Sequence, residues 1–107
     1  MIIILGALAQ EIEQLLSVAN IDSSDHWGPF SIYTGTLENQ QICIVKCGVG
    51  KVLSSMLTQH LIDKFAPTHM LFSGLAGALN AQYNIGDIVL GVDCIQHDLD
   101  TLSLIHI

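Results

Sequence analysis

Residues 1–13 read Met-Ile-Ile-Ile-Leu-Gly-Ala-Leu-Ala-Gln-Glu-Ile-Glu, and they predict a buried strand that runs directly into a helix. Ile2 to Leu5 are apolar and mostly β-branched, which favours a short strand. Gly6 and Ala7 are small enough for a tight turn, and from Leu8 the apolar residues recur at helical spacing. This order is typical of α/β domains, which bind ligands at the carboxyl ends of their strands.

Glu11 falls one turn inside the predicted helix and is the first candidate functional residue. The helix begins with unpaired N–H groups that face the ligand space, and a carboxylate at this position can lean back over the strand end. The simpler interpretation is an ordinary first-turn acid that interacts favourably with the helix dipole. The opening stretch by itself favours the simpler interpretation.

The composition limits the classes of function. Half of the 107 residues are hydrophobic and only 12% are charged, which indicates a surface meant to be covered by further chain or by a partner subunit. The net charge is −7 with three lysines and no arginine, so we expect neither nucleic acid nor a membrane as partner. We recognise no membrane span and no signal peptide. Three cysteines without C-x-x-C spacing indicate reduced thiols in a cytoplasmic protein.

Further elements are predicted from turn residues and hydrophobic spacing. A polar, turn-rich stretch predicts a loop, alternation predicts a hairpin, and helical spacing predicts a long helix that a proline ends. The predictions are a loop over Asn20–Gly28, strands over Phe30–Thr36, Gln41–Cys47, Met70–Ser73 and Ile88–Ile95, a turn over Asn84–Asp87, and a helix from about Val52 to Pro67. The apolar stripe of that helix is Val52, Leu53, Met56, Leu57, Leu61 and Phe65.

Three predicted strands end in small residues, namely at Gly6-Ala7, at Gly48-Val49-Gly50 and at Gly74-Leu75-Ala76-Gly77. Placed side by side, such ends line a crevice with backbone N–H and C=O groups, as in many small-molecule sites. Tight connections explain each glycine singly, but they explain all three together less well. Gly48-Val49-Gly50-Lys51 lacks the spacing of a Walker motif, so we do not expect ATP binding.

No metal and no cofactor is expected. His97, Asp98 and Asp100 form a small acidic cluster without a ligand-spacing template, so loop hydrogen bonds or interface contacts are the favoured roles. Cys43 and Cys47 share one face of a strand and are interpreted as buried thiols.

The order and spacing of these motifs resemble the 5′-methylthioadenosine/S-adenosylhomocysteine nucleosidases of the purine nucleoside phosphorylase superfamily. The matching motifs are Gly-Ala-x-x-x-Glu at 6–11, Cys-Gly-Val-Gly-Lys-Val at 47–52, Ser-Gly-Leu-Ala-Gly-Ala-Leu at 73–79, Ile-Gly-Asp-Ile-Val at 85–89 and His-Asp-Leu-Asp at 97–100. The resemblance covers residues 1 to about 101. It implies the N-terminal part of a three-layer α/β/α fold with a mixed central sheet. It also implies a homodimer of the full-length protein, in which residues 97–101 approach the neighbour's site.

The resemblance further implies hydrolysis of the N-glycosidic bond of 5′-methylthioadenosine and S-adenosylhomocysteine, with release of adenine. Glu11 matches the glutamate that holds and activates the water. Ala7 would border the water and the sugar, and Val49 would contact the ribose or the alkylthio group. Leu75, Ala76 and Gly77 match a Ser-Ala-Gly segment beside the ribose and the base. Leucine at position 75 departs from that pattern, which keeps a futalosine hydrolase of the same superfamily as an alternative.

Two other classes of function stay open. Related phosphorylases have a Gly-Asp-Pro-type motif at the first turn and hold phosphate with arginines. This chain has Glu11 and no arginine, which favours a hydrolase. A non-catalytic α/β domain that binds a nucleoside or another protein is the third hypothesis.

The second half of the family pattern has no match in these residues. It comprises a Met-Glu pair that binds the ribose hydroxyls and a Ser-Asp pair whose aspartate protonates adenine, so we expect residues 1–107 alone to be inactive. Residues 102–107, Leu-Ser-Leu-Ile-His-Ile, read like a translated transposase-end sequencing adapter. We therefore expect the native domain portion to be 1–101 and the last six residues to be non-native.

Overall fold

The computed structural model describes residues 1–90 and 92–95. The chain divides into two compact units, Met1–Ala76 and Gly77–Ile107, and residues 102–107 lie outside the described residues. All described strands and helices belong to the first unit: β1 (Ile2–Gly6), α1 (Ala9–Val18), β2 (Asn20–Trp27), β3 (Phe30–Leu37), β4 (Gln40–Lys46), α2 (Lys51–Phe65) and β5 (His69–Phe72). Neither described helix has the length and apolar character that a membrane span requires.

The five strands form one mixed sheet in the order β2-β3-β4-β1-β5. β1 pairs in parallel with β4 on one side and with β5 on the other, while β2, β3 and β4 pair antiparallel. The opening strand therefore lies inside the sheet with both backbone edges paired, which explains its continuous apolar sequence. The predicted α/β class with a mixed sheet is confirmed.

The two helices cover opposite faces of the sheet. Alternate strand residues point to opposite faces, and two separate clusters of buried side chains result. One cluster joins α2 to the sheet through Ile3, Leu5, Cys43, Val45, Leu57 and Leu61. The other joins α1 to the sheet through Ile4, Ile12, Ile42 and Ile44. Each fully buried leucine or isoleucine stabilises the fold by about 1.5–3 kcal/mol.

The predicted apolar stripe of α2 is only partly correct. Leu57 and Leu61 are fully buried, whereas Val52 is 79% exposed and Met56 is 45% exposed. Val52 precedes Leu57 by five residues, and Met56 precedes Leu61 by five. Each of the two therefore lies about 140° around the helix axis from the buried leucine that follows it. The predicted end is confirmed, since α2 stops at Phe65.

The predicted loop over Asn20–Gly28 is wrong, because Asn20–Trp27 form β2. β2 is an edge strand of the sheet and both of its faces are largely exposed, so its sequence carries no apolar alternation. Its backbone comes very close to Gly35 of β3, where a Cβ would lie 2.8 Å from the Ile21 Cα. A hydroxyl contact between Ser23 and Thr34 joins the strands further. The predicted hairpin is therefore part of a three-stranded meander.

A tight turn joins β3 to β4. Glu38 and Asn39 both have positive φ angles, 49° and 65°. Two consecutive left-handed residues are the geometry of a tight hairpin turn that matches the twist of the flanking strands.

The described part of the second unit contains turns but no strand. Asp87 N–H donates to the Asn84 carbonyl at 3.1 Å, and Asn84 N–H donates to the Asp87 carboxylate at 2.8 Å, which confirms the predicted turn. The predicted strand Ile88–Ile95 is wrong for its described residues, 88–90 and 92–95. Ile88 is 99% exposed and Leu90 is 91% exposed. A strand needs a backbone partner, and these residues pair with no described strand.

Candidate active site

The carboxyl ends of β1, β4 and β5 meet at one edge of the sheet. Cys47 N–H, after β4, donates to the Gly6 carbonyl at 2.8 Å, and Ser73 N–H, after β5, donates to the Leu5 carbonyl at 2.7 Å. The three small-residue strand ends therefore lie side by side, as predicted. After β4, Gly48 and Gly50 have φ angles of 72° and 106°, and these glycine-favouring conformations turn the chain into α2.

Gly6 lets α1 start close above the sheet. A Cβ at this position would overlap the Ile12 side chain and would lie 3.4 Å from both the Glu11 Cβ and the Ser73 carbonyl oxygen. The first turn of α1 therefore lies over the end of β1, and Glu11 is carried to the same place.

Glu11 stabilises the start of its own helix. Its Oε1 accepts a hydrogen bond of 2.8 Å from the N–H of Leu8, the residue before α1. This is one half of a capping box, since Leu8 has no side-chain acceptor for the reciprocal bond. The structural role of a first-turn acid is thus present, and it occupies one oxygen of the carboxylate.

The second oxygen of Glu11 lies at the end of β5. A Cβ on Gly74 would overlap Oε2 and would lie 3.4 Å from the Glu11 Cδ. The Ser73 hydroxyl also donates to the Glu11 carbonyl oxygen at 3.2 Å. Leu8, Ser73 and Gly74 were not singled out individually from the sequence. The sequence did offer one signal for Gly74, because it is a glycine directly after the predicted strand Met70–Ser73. The neighbouring strand β1 leads into the helix turn that carries Glu11.

Burial and the Glu11 charge act together on Cys47. Burial raises the pKa of the Cys47 thiol above its ordinary value, hydrogen bonds from its own backbone and the Ser54 side chain oppose this, and the negative charge of Glu11 raises it further. The thiol donates to the Gly48 carbonyl at 3.4 Å. Cys47 is therefore a neutral thiol at pH 7 rather than a thiolate nucleophile.

The other predicted site residues have different surroundings. Ala7 is partly buried and packs against the α2-side cluster. Val49 is 72% exposed and Leu75 is 98% exposed, and Ala76 is also exposed. Gly77 belongs to the second unit and has open space around its Cβ position.

The described residues provide no metal centre. Among residues 1–90 and 92–95, no group of three or more His, Cys, Asp or Glu side chains is arranged to hold an ion. The cluster at residues 97–100, including His97, lies outside the described residues.

Helices on both faces of a mixed sheet, and three parallel strand ends beside one carboxylate, define an α/β domain of the type that binds small molecules at its strand ends. A model of the phosphorylase superfamily matches residues 1–106. The chain belongs to this family.

Within the family, the chain is similar to nucleosidases and to a futalosine hydrolase. A 5′-methylthioadenosine/S-adenosylhomocysteine nucleosidase from Buchnera aphidicola subsp. Schizaphis graminum is 38% identical over 97 residues, which are 91% of this chain and 41% of the relative. The structure of such a nucleosidase from Colwellia psychrerythraea 34H, in complex with adenine, matches with a TM-score of 0.90 and 29% identity, covering 96% of this chain and 43% of that one. The native futalosine hydrolase of Helicobacter pylori strain 26695 matches with a TM-score of 0.85 and 32% identity, covering 96% and 45%. The chain spans less than half the length of these relatives.

Proposed function

We propose that this chain is the N-terminal part of an N-glycosyl hydrolase that releases adenine from 5′-methylthioadenosine and S-adenosylhomocysteine. The observation that carries the proposal is the position of the Glu11 carboxylate, with Oε1 on the Leu8 N–H and Oε2 at the end of β5. The similarity to nucleosidases, one of them solved with adenine, supplies the substrate class.

Glu11 acts in this proposal as the general base. Cleavage of a glycosidic bond passes through an oxocarbenium-like sugar, and a carboxylate can hold the water that adds to it. The water oxygen forms a bond to the anomeric carbon while the bond to the adenine nitrogen breaks. Glu11 takes a proton from the water, and an acid in the rest of the protein protonates adenine. That acid and the groups that bind the ribose hydroxyls belong to chain beyond these residues.

Two measurements in sequence test the proposal. Genomic DNA is first read past codon 101, and we expect an open frame that continues through a Met-Glu and a later Ser-Asp pair without the codons for residues 102–107. The complete protein is then assayed for adenine release from 5′-methylthioadenosine, with Glu11→Gln as the variant. We expect Glu11→Gln to lower kcat by roughly 10²–10⁴-fold, and residues 1–107 alone to release no adenine. A stop codon directly after Ile107, or an unimpaired Glu11→Gln enzyme, would contradict the proposal.

Futalosine is the alternative substrate. The futalosine hydrolase of Helicobacter pylori matches this chain with a similar TM-score to the nucleosidase, and Leu75 departs from the nucleosidase pattern. Comparing kcat/KM for futalosine and both adenosine thioethers decides between them. Repeating the assay with and without inorganic phosphate excludes or reveals a phosphorylase, because only a phosphorylase needs phosphate as co-substrate.

We also propose a cytoplasmic homodimer for the complete protein. The cytoplasm fits the three free cysteines, Cys43, Cys47 and Cys94. The dimer rests on the family resemblance, and light scattering on the complete protein tests it.

A further inference from the structure

The two oxygens of the Glu11 carboxylate have different neighbours. The Leu8 N–H holds Oε1 through a hydrogen bond of 2.8 Å. Oε2 lies over Gly74, in the space that a side chain at position 74 would fill. The Leu8 N–H therefore fixes the carboxylate through Oε1. Oε2 has room at its position because residue 74 is a glycine and has no Cβ.

We infer that Gly74 is the positioning residue for the general base, and that Oε2 is the oxygen that takes the proton from water. This inference rests on the proposed hydrolase function. It assigns to Gly74 a role in catalysis through Glu11, distinct from any role of a glycine in backbone geometry.

The backbone of Gly74 does not itself require glycine. The glycines with positive φ among the described residues are Gly28, Gly48, Gly50 and Gly86, and Gly74 is not one of them. An alanine at position 74 therefore does not have to adopt the left-handed conformation that L side chains rarely take. The second close neighbour of its Cβ would be the Phe72 ring, at 3.0 Å. Phe72 is 59% exposed, so its ring has room to move. The overlap that remains is the one with Glu11.

Two hydrogen bonds restrain Glu11 where this overlap would occur. The Ser73 hydroxyl holds its carbonyl oxygen at 3.2 Å, and the Leu8 N–H holds Oε1. A Cβ on residue 74 must therefore move Oε2 by roughly 1 Å, and a misplacement of that size in a catalytic group costs about 10²-fold in rate.

The test uses the complete protein and the variant Gly74→Ala. We expect kcat for adenine release to fall about 10²-fold while KM changes less than about 3-fold, because the displaced group acts on water rather than on substrate binding.

Ser73→Ala removes only the hydroxyl that holds the Glu11 backbone, and we expect it to lower kcat by roughly 3- to 10-fold. The matched control is Ser17→Ala. Its hydroxyl also donates to a backbone carbonyl of α1, that of Gln14 at 2.7 Å, but at the far end of the helix. We expect this variant to keep full activity.

A double-mutant cycle separates positioning from general damage to the structure. When the base is already removed in Glu11→Gln, adding Gly74→Ala should lower kcat little further, since Gly74 acts through the same carboxylate. A residue that only supports the fold would lower kcat by its full factor in both backgrounds. Thermal unfolding of each variant checks that the fold is retained.

The outcomes distinguish the two proposals. A wild-type protein that releases no adenine overturns the proposed function and this inference with it. An active wild-type protein overturns the inference alone if Gly74→Ala keeps full kcat, or if it loses the same factor in the Glu11→Gln background. If Gly74→Ala does not fold, Ser73→Ala decides: unchanged kcat overturns the inference, and reduced kcat with unchanged KM supports it.

Discussion

The two units of the chain use similar residues with opposite results. In the first unit Ile3, Ile44 and Leu57 are completely buried, whereas Ile88 and Leu90 of the second unit are more than nine-tenths exposed. Both regions are rich in the β-branched and aliphatic residues that favour strands. The difference teaches that an apolar sequence becomes a strand only where backbone partners and a packing face are present.

The partners in the first unit are visible in the sheet. β1 has a parallel neighbour on each edge and a helix over each face. The described hydrogen bonds of the second unit are short-range, within the turns at residues 80–83 and 84–87. Short-range hydrogen bonds fix turns but do not bury side chains, so apolar side chains such as Ile88 and Leu90 stay exposed.

The largest expected difference between the units comes from one substitution made in both. In the 107-residue chain, Leu57→Ala should lower the free energy of unfolding by about 3–4 kcal/mol, because it leaves a cavity between α2 and the sheet. Leu90→Ala should change it by less than about 0.5 kcal/mol, because Leu90 is 91% exposed.

Urea unfolding followed by Trp27 fluorescence measures both effects. Trp27 is the only tryptophan, and it stacks on His60 of α2 at 3.9 Å, so it reports the packing of the first unit. Equal losses for the two leucines would contradict the comparison. In the complete protein, a larger loss for Leu90→Ala would show that chain beyond these residues covers it.

The sequence predicted the elements whose signals are local. Residues 1–13 carry an apolar run, a pair of small residues and helical spacing. The structure has the corresponding strand β1, a tight turn and the start of helix α1. β2 was missed because an edge strand exposed on both faces needs no apolar alternation, and its pairing depends on the close approach at Gly35. The strand predicted at Ile88 failed for the converse reason, since its apolar residues are present but none of the described strands pairs with them.

The candidate site was predictable to a similar degree. Glu11 and the meeting of three strand ends follow from the position of small residues after apolar strands. The contacts of Glu11 with Leu8, Ser73 and Gly74 do not, because they depend on how far α1 leans across β1 toward β5. That distance is set by Gly6 and Ile12 packing in three dimensions, and no residue spacing along the chain encodes it.

Two cysteines extend the comparison to pH. Burial raises the pKa of the Cys43 thiol to about 11, while Cys94 is exposed. A pKa raised in the folded state means that the folded protein holds its proton more tightly, so the stabilisation is complete below about pH 8.5 and is lost as pH rises toward 11. We expect the free energy of unfolding to fall by about 1 kcal/mol more in the wild type than in Cys43→Val over this interval.

Urea unfolding of the 107-residue chain at several pH values between 8 and 11 measures this difference. Cys94→Val is the matched control and should retain the pH dependence of the wild type, because its thiol is exposed in both the folded and the unfolded chain. A pH dependence that disappears in Cys94→Val and persists in Cys43→Val would reverse the assignment of buried and exposed thiols.

The smallest expected effect compares two polar contacts of different range. Lys64 of α2 lies 3.4 Å from the Asp25 carboxylate of β2 and so joins segments far apart in the chain, whereas the Asp87 carboxylate contacts Asn84 within one turn. The pKa of Asp25 is lowered, first by a hydrogen bond from the His26 backbone and then by Lys64, so the contact weakens as acid protonates the carboxylate.

Lys64→Met should lower the midpoint of thermal unfolding by about 1–2 °C at low salt, and the difference should vanish in 1 M NaCl, where exposed charges are screened. Asp87→Ala should leave the midpoint unchanged at both salt concentrations, because its turn lies in the unit without described strands or helices. A larger shift for Asp87→Ala than for Lys64→Met would mean that the turn contributes to the cooperative core, and the contrast between the two units would then be wrong.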